Sequence, residues 1–255
     1  MRAGWDARIA NGYNADFDGI IDQCDHICVV GGDGSLRDMA EKLSHCKNAP
    51  SLSIYPAGTI NLVAREAQYP ASITKFVARI TAAQHRQHYH GSANGKAIVA
   101  CASVGPDSKA VAQVSERLKR HIGRFAYAIS FGRLLWQWPR NRLQVTADGK
   151  IFHGEAVYIL KGHFFAGPWV IDPNACLTQP RFRILVMPTA RRRDYLRLAL
   201  SAAIHPIFAD KAWHFAPAKD IKIEGQSGLE VQIDGDIAAT LPLTARIMPV
   251  AVDYC

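Results

Sequence analysis

Short apolar runs alternate with amphipathic segments over the first third of the chain. Residues 27–30 (ICVV) and 51–55 (SLSIY) have the length and composition of buried strands. Each run is followed by a segment with apolar residues at helical spacing, and the first of these segments covers residues 35–43. Because strands that alternate with helices form parallel sheets with helices on their faces, this part of the chain predicts an α/β domain.

From about residue 95 the pattern changes to many short strands separated by turns, beginning with one strand-like run at residues 95–104. Asp148-Gly149 and Asp234-Gly235 are strong hairpin turns, because Asp-Gly pairs favour tight β-turns. One predicted helix, within residues 191–205, interrupts the strands. This pattern predicts an antiparallel β-sandwich or barrel. We therefore expect two domains, residues 1–95 and 96–255, with the last strand a candidate to return to the first domain.

The turn GGDG, residues 31–34, joins the first predicted strand to the first predicted helix. Ser35 is a favourable N-cap residue, so the helix is expected to begin there. Free backbone amides and the helix dipole at such a position favour an anion, and glycine allows positive φ and close approach of a ligand. The turn is therefore a candidate phosphate-binding loop. The alternative is an ordinary glycine turn with Asp33 as a solvated turn residue.

A second strand–turn–helix junction, YPAGTINLVARE at residues 55–66, has the same character. Thr59 could donate its hydroxyl hydrogen to a phosphate, or it could cap the helix that follows. Ligands of parallel sheets bind at the carboxyl ends of the strands. We therefore expect both turns at one edge of the sheet, facing one crevice.

The formal net charge of +8 and the pI of about 9.3 favour nucleic acid, nucleotide phosphates or an anionic membrane surface, although an inert basic surface would fit too. No RNA- or DNA-binding motif supports nucleic acid. Six scattered cysteines and a polar stretch at residues 1–16 predict reduced thiols and a cytoplasmic location. HRQHYH, residues 85–90, lacks accompanying cysteines or carboxylates and is expected to be an exposed polar strand.

Two motifs, GGDGSLRDMAEKL at residues 31–43 and PAGTINLVARE at residues 56–66, resemble the catalytic domain of the diacylglycerol kinase family. The resemblance is to the bacterial branch, which is related to sphingosine and long-chain-base kinases. Residues 102–129, 164–177 and 231–242 agree with the family in the same order. The resemblance covers most of the chain. It implies a nucleotide-binding α/β domain of the NAD kinase/diacylglycerol kinase-like fold, followed by a mainly antiparallel β-sandwich domain.

The function that the resemblance implies is that of an ATP-dependent lipid kinase. It would transfer the γ-phosphate to a hydroxyl of a diacylglycerol-like or long-chain-base lipid, with ATP and Mg²⁺ as cofactors. The nucleotide-binding residues that it implies are Gly31, Gly32, Asp33, Gly34, Ser35, Gly58, Thr59 and Asn61. Asp236 matches the proposed general base, and Asp33 could orient or balance the metal. No metal ligand is assigned.

Such a kinase meets its lipid substrate in a bilayer, so we expect peripheral contact with the inner face of an anionic membrane. Residues 123–142 (GRFAYAISFGRLLWQWPRNR) and 191–200 (RRRDYLRLAL) are candidate membrane-contact segments; the alternative is ordinary surface helices with solvated arginines. A homodimer is an open alternative to a monomer.

Three features depart from the family pattern. Only 30 residues precede Gly31, and they contain no NPxSG-like nucleotide loop. Residues 234–236 read DGD where the family has DGE, which shortens the carboxylate by one methylene. Gln179-Pro180 stands where many relatives have Asp-Gly. Two alternatives therefore stay open: a non-catalytic lipid- or nucleotide-binding relative, and a kinase of a soluble substrate such as NAD or a sugar phosphate.

Overall fold

A computed structural model describes residues 5–10, 21, 23–43, 46, 49–112, 138–204 and 209–255. Within these ranges the helices are α1 (Asp33–Leu43), α2 (Leu62–Glu66), α3 (Ile73–Thr81), α4 (Pro106–Ala112) and α5 (Arg192–Ala203). The strands are β1 (His26–Gly31), β2 (Ser51–Pro56), β3 (Arg86–His88), β4 (Gly91–Ala93), β5 (Lys96–Ile98), β6 (Cys101–Val104), β7 (Leu143–Ala147), β8 (Lys150–Gly154), β9 (Ala156–Leu160), β10 (Phe182–Met187), β11 (His214–Ala218), β12 (Asp220–Glu224), β13 (Glu230–Ile233), β14 (Asp236–Thr240), β15 (Leu243–Ile247) and β16 (Val252–Tyr254).

The candidate membrane segment at residues 123–142 lies outside the described residues up to position 137. Among the helices that the structure describes, none combines the length and the apolar character needed to cross a bilayer.

The first sheet has the strand order β1-β2-β16-β3 in the described part of the chain. β1 and β2 are parallel neighbours connected through α1, which buries Leu36, Met39 and Leu43 at helical spacing. β16 comes from the far end of the chain. It pairs in parallel with β2 and antiparallel with β3. The sheet that begins the fold therefore contains a strand that follows the sandwich in sequence.

The other two sheets form the predicted antiparallel β-sandwich. Within the described residues their strand orders are β11-β10-β9-β6-β13-β14 and β5-β4-β15-β12-β7-β8. Alternate side chains of both sheets point inward and form a shared apolar core that includes Val145, Val157, Phe182, Ile221 and Leu243. The proposed domain limit at residue 95 falls inside the β4–β5 hairpin of this sandwich, and the division into residues 1–95 and 96–255 stays a prediction.

The expected single strand at residues 95–104 is wrong, because two strands in different sheets occupy it. β5 ends at Ile98 and β6 begins at Cys101, so the chain changes sheets between them. At this bend the Val99 and Ala100 amides donate hydrogen bonds to the Asp234 carboxylate at 3.0 and 2.8 Å. In a continuous strand these amides would donate to a neighbouring strand. Here they donate to Asp234, which is more than a hundred positions away in sequence.

Helix α1 begins at Asp33, two residues before the expected start at Ser35. The Leu36 amide donates to the Gly32 carbonyl at 3.1 Å, so the first helical turn already includes the glycine loop. Ser35 is exposed within that first turn and is not the N-cap residue. The GGDG turn is therefore continuous with the helix start.

The expectation that residues 85–90 form an exposed polar strand is wrong for two of its histidines. His88 and His90 are both buried against Tyr254 of β16. The His88 ring stacks on the Tyr254 ring at 4.4 Å, and His90 Nε2 lies 2.9 Å from the Tyr254 hydroxyl. Burial lowers the pKa of His88 to about 4 and that of His90 to about 3, so both rings are neutral at pH 7.

We expect Tyr254→Phe to reduce the free energy of unfolding by about 1–3 kcal/mol, because it leaves a buried ring nitrogen of His90 without a partner. Equilibrium unfolding in urea measures this change. Tyr89→Phe, at a half-buried position in the same segment, is the control and should change stability by less than about 0.5 kcal/mol. Equal stability of the Tyr254→Phe protein and the wild type would contradict the assigned hydrogen bond.

Candidate active site

The two glycine turns lie side by side at the carboxyl edge of the first sheet. β1 ends at Gly31 and β2 at Pro56, and these two residues are register partners in the parallel pair. The amides of Ala57 and Gly58 both donate to the Gly31 carbonyl, at 3.1 and 3.2 Å. The second turn is therefore fixed directly against the first.

The closest approach between the turns is between Gly32 and Gly58. A Cβ atom on Gly58 would lie 2.5 Å from the Cα of Gly32, and one on Gly32 would lie 3.2 Å from the Cα of Gly58. Neither residue, nor Gly31 or Gly34, has a positive φ. Glycine is required here for the contact between two backbones and not for its conformational freedom.

Asp33 joins the two turns through its side chain. It is buried, and its carboxylate oxygens accept hydrogen bonds from the amides of Leu62 and Val63 at 2.8 and 2.9 Å. These amides are the free donors at the start of α2, so Asp33 caps a helix of the other turn. Burial raises the pKa of Asp33, and the two amide donors oppose that rise. Asp33 is not a solvated turn residue; its part in orienting a metal stays a prediction.

Asn61 leaves an unsatisfied polar atom between the turns. It is the N-cap residue of α2, with φ 56°, and its side-chain amide donates to the Gly58 carbonyl at 2.8 Å. Its Oδ1 atom is buried beside Gly32 and Gly58, and no described residue forms a hydrogen bond with it. A buried acceptor without a partner is costly, so this atom marks a position that a bound donor would complete.

Thr59 lies exposed on the second turn. Since Asn61 is the N-cap residue and Asp33 supplies the cap, the alternative that Thr59 caps the helix is wrong. Its hydroxyl as a phosphate donor stays a prediction.

The Asp234-Gly235 hairpin between β13 and β14 brings Asp236 to the first turn. The φ angles of Asp234 and Gly235 are 50° and 92°, which suits the predicted tight turn. A Cβ atom on Gly34 would lie 3.1 Å from Asp236 Oδ2. The structure therefore brings together the two predicted loops and the predicted carboxylate of the sandwich.

Arg37 is a site residue that the sequence interpretation missed. Its guanidinium donates to the Ile233 carbonyl at 2.9 Å, and its Nη2 atom lies 3.5 Å from Asp236 Oδ2. The side chain is largely buried, so the α1 helix holds the Asp236 hairpin from one side. The available signal was its spacing, because a residue three positions after Gly34 lies on the same helix face.

Asp234 is a second missed residue, since the sequence indicated only a turn there. Its buried carboxylate accepts the amides of Val99, Ala100 and Cys101 at 3.0, 2.8 and 2.9 Å. Burial is the main cause that raises the pKa of Asp234 to about 7, while the amide donors oppose it and the nearby Asp33 charge adds to it. The hairpin that carries Asp236 is thus fixed to the bend between β5 and β6.

Glu66, at the end of α2, connects the second turn to the motif at residues 164–177. Its carboxylate accepts the amides of His163 and Leu177 at 2.5 and 2.9 Å. Lys161, which is fully buried, donates to the carbonyls of Cys176 and Leu177 at 2.9 Å each. This segment of the sandwich is therefore held against the helix that follows the second turn.

In the part of the chain that the structure describes, no group of three or more His, Cys, Asp or Glu side chains could hold a metal ion by itself.

Two family models match the chain. The diacylglycerol kinase catalytic domain matches residues 11–93, and the YegS C-terminal NAD kinase beta sandwich-like domain matches residues 100–254. With the site described above, these matches define a kinase of the lipid kinase class. The chain belongs to the diacylglycerol kinase family, and its C-terminal part to the YegS-type β-sandwich family.

Similar proteins carry the same family name. A diacylglycerol kinase of Staphylococcus saprophyticus is 25% identical over 220 residues, which cover 86% of this chain and 72% of that protein. A diacylglycerol kinase of Bacillus subtilis is 24% identical over 221 residues, covering 86% of this chain and 73% of that protein. The crystal structure of a diacylglycerol kinase from Bacillus anthracis has a TM-score of 0.75 at 20% identity and covers 92% of this chain and 79% of that chain. This last similarity confirms the fold.

Gly58→Ala should weaken ATP binding about tenfold or more, because its Cβ would lie 2.5 Å from Gly32 and 2.6 Å from Asn61 Oδ1. Overpacking of this kind costs about 1–3 kcal/mol, and about 1.4 kcal/mol is a factor of ten in affinity. Calorimetric titration with ATP and Mg²⁺ measures the change. Ala57→Ser, at the exposed neighbouring position, is the control; equal affinities of both variants would contradict the importance of this contact.

The raised pKa of Asp234 predicts a specific dependence of stability on pH. Its folded pKa is about 7 against an ordinary value of 3.8, so its contribution to stability is complete below 3.8 and is lost as the pH rises toward 7. We expect the free energy of unfolding of the wild type, relative to Asp234→Asn, to fall over this range. The same measurement on Asp220→Asn, at an exposed carboxylate, is the control. A flat difference for Asp234→Asn would contradict the raised pKa.

Proposed function

We propose that this kinase transfers the γ-phosphate of ATP to a hydroxyl of a lipid of the diacylglycerol or long-chain-base class. The observation that carries the proposal is the position of Asp236 beside the first glycine turn. A Cβ atom added to Gly34 would lie 3.1 Å from Asp236 Oδ2. A carboxylate of the β-sandwich thereby stands at the mouth of the glycine loop. The names of similar proteins and the family matches support the lipid as acceptor class.

The residues of the two turns fit a nucleotide triphosphate. The start of α1, an 11-residue helix, presents backbone amides and the positive end of its dipole at the carboxyl edge of the sheet. Gly32 and Gly58 have no side chains that would block a nucleotide at the turns. The buried Asn61 Oδ1 atom could accept a hydrogen bond from the bound nucleotide. Residues 31–35 and 58–61 would hold the nucleotide, with the exposed Thr59 hydroxyl available to a phosphate oxygen.

In this proposal Asp236 takes the proton of the acceptor hydroxyl. A carboxylate within hydrogen-bond reach of that hydroxyl could accept its proton during transfer. Arg37, 3.5 Å from Asp236 Oδ2, holds this carboxylate from one side, and the hydrogen bonds of Asp234 hold the hairpin in place. These contacts hold the Asp236 carboxylate in a defined position although it is partly exposed.

Phosphoryl transfer depends mainly on positioning and on neutralising charge. Mg²⁺ would supply charge neutralisation, and it is usually held by phosphate oxygens with one or two carboxylates. A substrate in a bilayer further requires peripheral contact of the protein with the membrane surface.

The test is transfer of labelled phosphate from ATP and Mg²⁺ to a panel of diacylglycerols and long-chain bases in mixed micelles, with NAD and sugar phosphates as soluble acceptors. We expect labelled lipid only. Asp236→Asn should lower kcat by about 10²–10⁴-fold with little change in KM for ATP, because it removes proton transfer but not the nucleotide turns. Asp38→Asn is the matched control, since it also removes a carboxylate beside Arg37 but on the exposed side of α1.

Labelling of a soluble acceptor alone would overturn the lipid assignment. Full activity of Asp236→Asn would remove Asp236 as the base and leave the lipid assignment standing.

A further inference from the structure

Helix α5 has apolar side chains that are exposed to solvent and do not pack in the core. Leu196 is 62% exposed and Ile204, at the C-cap, is 68% exposed, and the half-buried Leu200 lies between them at helical spacing. Arg193 and Arg197 are exposed on the same side of the helix. The opposite side packs into the core through Tyr195 and Leu198. A solvent-facing helix of a globular protein normally carries polar side chains here, so this outer side is unusual.

A further apolar side chain, from the family motif at residues 164–177, extends this surface. Trp169 is 41% exposed, and the next residue, Val170, donates its amide to the Ala202 carbonyl of α5 at 3.1 Å. The backbone that carries Trp169 therefore lies close to the C-terminal end of the helix. We call the surface formed by Leu196, Ile204 and Trp169 with the flanking arginines of α5 the α5 patch.

The N-terminal end of α5 adds a basic cleft to the patch. A cavity of about 750 Å³ is lined by Lys109, Trp138, Pro139, Arg140, Arg191, Arg192 and Arg193. Among the described residues, Glu155 pairs with Arg140 and Asp194 lies 3.6 Å from Arg193, so the cationic side chains of the lining outnumber these acidic ones. The cavity is large enough to admit a phosphate headgroup.

We propose that the α5 patch and the basic cleft are the surface by which this protein contacts an anionic phospholipid bilayer. The proposal rests on the proposed function, because a lipid acceptor must be reached in a membrane. Apolar side chains flanked by arginines are the composition of helices that lie in a bilayer interface, and indoles prefer that interface. Each cation near an anionic leaflet contributes further attraction.

The alternative occupant is a second copy of the chain. In a two-fold dimer through this surface the same cationic cleft would face itself or the arginines of its mate, because a two-fold interface buries the same patch on both subunits. Like charges brought together in this way oppose association. An anionic leaflet has the complementary charge, so the bilayer is the occupant that the surface favours.

The α5 patch is connected to the nucleotide turns by a short path. The segment that presents Trp169 is fixed to Glu66 by the hydrogen bonds from His163 and Leu177. Glu66 ends α2, whose first amides are held by Asp33 of the first turn. Hydrogen bonds at the two ends of the five-residue helix α2 therefore connect the segment that carries Trp169 to the first glycine turn.

Vesicle binding with matched variants tests the proposal. The full chain is sedimented with vesicles of phosphatidylcholine, with and without phosphatidylglycerol. At about 1 kcal/mol per cation, Arg192→Gln with Arg193→Gln should weaken binding to the anionic vesicles about 25-fold. The control, Lys222→Gln with Arg246→Gln, removes the same charge from the outer side of β12 and β15, on the other sheet of the sandwich. It should change binding less than about threefold, because these residues belong to the other sheet of the sandwich and not to the α5 patch.

The apolar part of the α5 patch has its own pair of variants. Leu196→Gln should weaken vesicle binding about fivefold or more, because an apolar side chain is lost from the interface. Ile151→Gln, which is 60% exposed on β8 of the other sheet, should have no effect. Both substitutions are at exposed positions, and melting temperatures close to that of the wild type verify that the fold is intact.

The outcomes separate this proposal from the proposed function. Equal weakening by both double variants would overturn it in favour of a general effect of net charge. A wild-type dimer that Leu196→Gln converts to a monomer in sedimentation velocity would overturn it in favour of a subunit interface. The patch variants should keep wild-type kcat on lipid in mixed micelles and lose activity on vesicles. Absence of lipid phosphorylation by the wild type in micelles would refute the proposed lipid kinase activity. The vesicle-binding measurements would then still test whether the α5 patch contacts a bilayer.

Discussion

Contact between two backbones, at Gly32 and Gly58, is the constraint on which the rest of the site depends. Since a Cβ atom on Gly58 would lie 2.5 Å from the Gly32 Cα, the turns after β1 and β2 can meet only as glycines. Asp33 then fixes their relative position by capping the helix of the opposite turn. The result is two glycine turns held side by side at the carboxyl edge of a parallel sheet, and the proposed nucleotide site depends on this arrangement.

Buried carboxylates hold the remaining parts of the site in the same way. Asp234 accepts three amides at the bend between β5 and β6, and Glu66 accepts two from the sandwich segment beside α2. Burying a charge is costly unless hydrogen bonds replace its water, and backbone amides supply them here. Loops with little apolar surface thereby acquire defined positions. Asp236 and Arg37 owe their place at the first turn to this arrangement.

Local patterns in the sequence were enough to predict the two glycine turns and an α/β part followed by an antiparallel sandwich or barrel. The position of Asp236 near the first turn followed only from the resemblance to the diacylglycerol kinase family. What could not be predicted depends on partners distant in sequence. The hydrogen bond of Arg37 to Ile233 spans 196 positions, and the break between β5 and β6 depends on Asp234. His88 and His90 belong to a polar run that indicates exposure, yet Tyr254 of β16 buries them. Periodicity reports the local preference of a segment and carries no information on such contacts.

The position of β16 between β2 and β3 has a consequence for biosynthesis. Residues 252–254 leave the ribosome after every strand of the sandwich, yet they fill a place inside the first sheet. Until then β2 has an open edge, which is prone to pairing with other chains. The first sheet along the chain is therefore completed last. Emergence of β16 from the ribosome, and not synthesis of the sandwich, closes the open edge of β2.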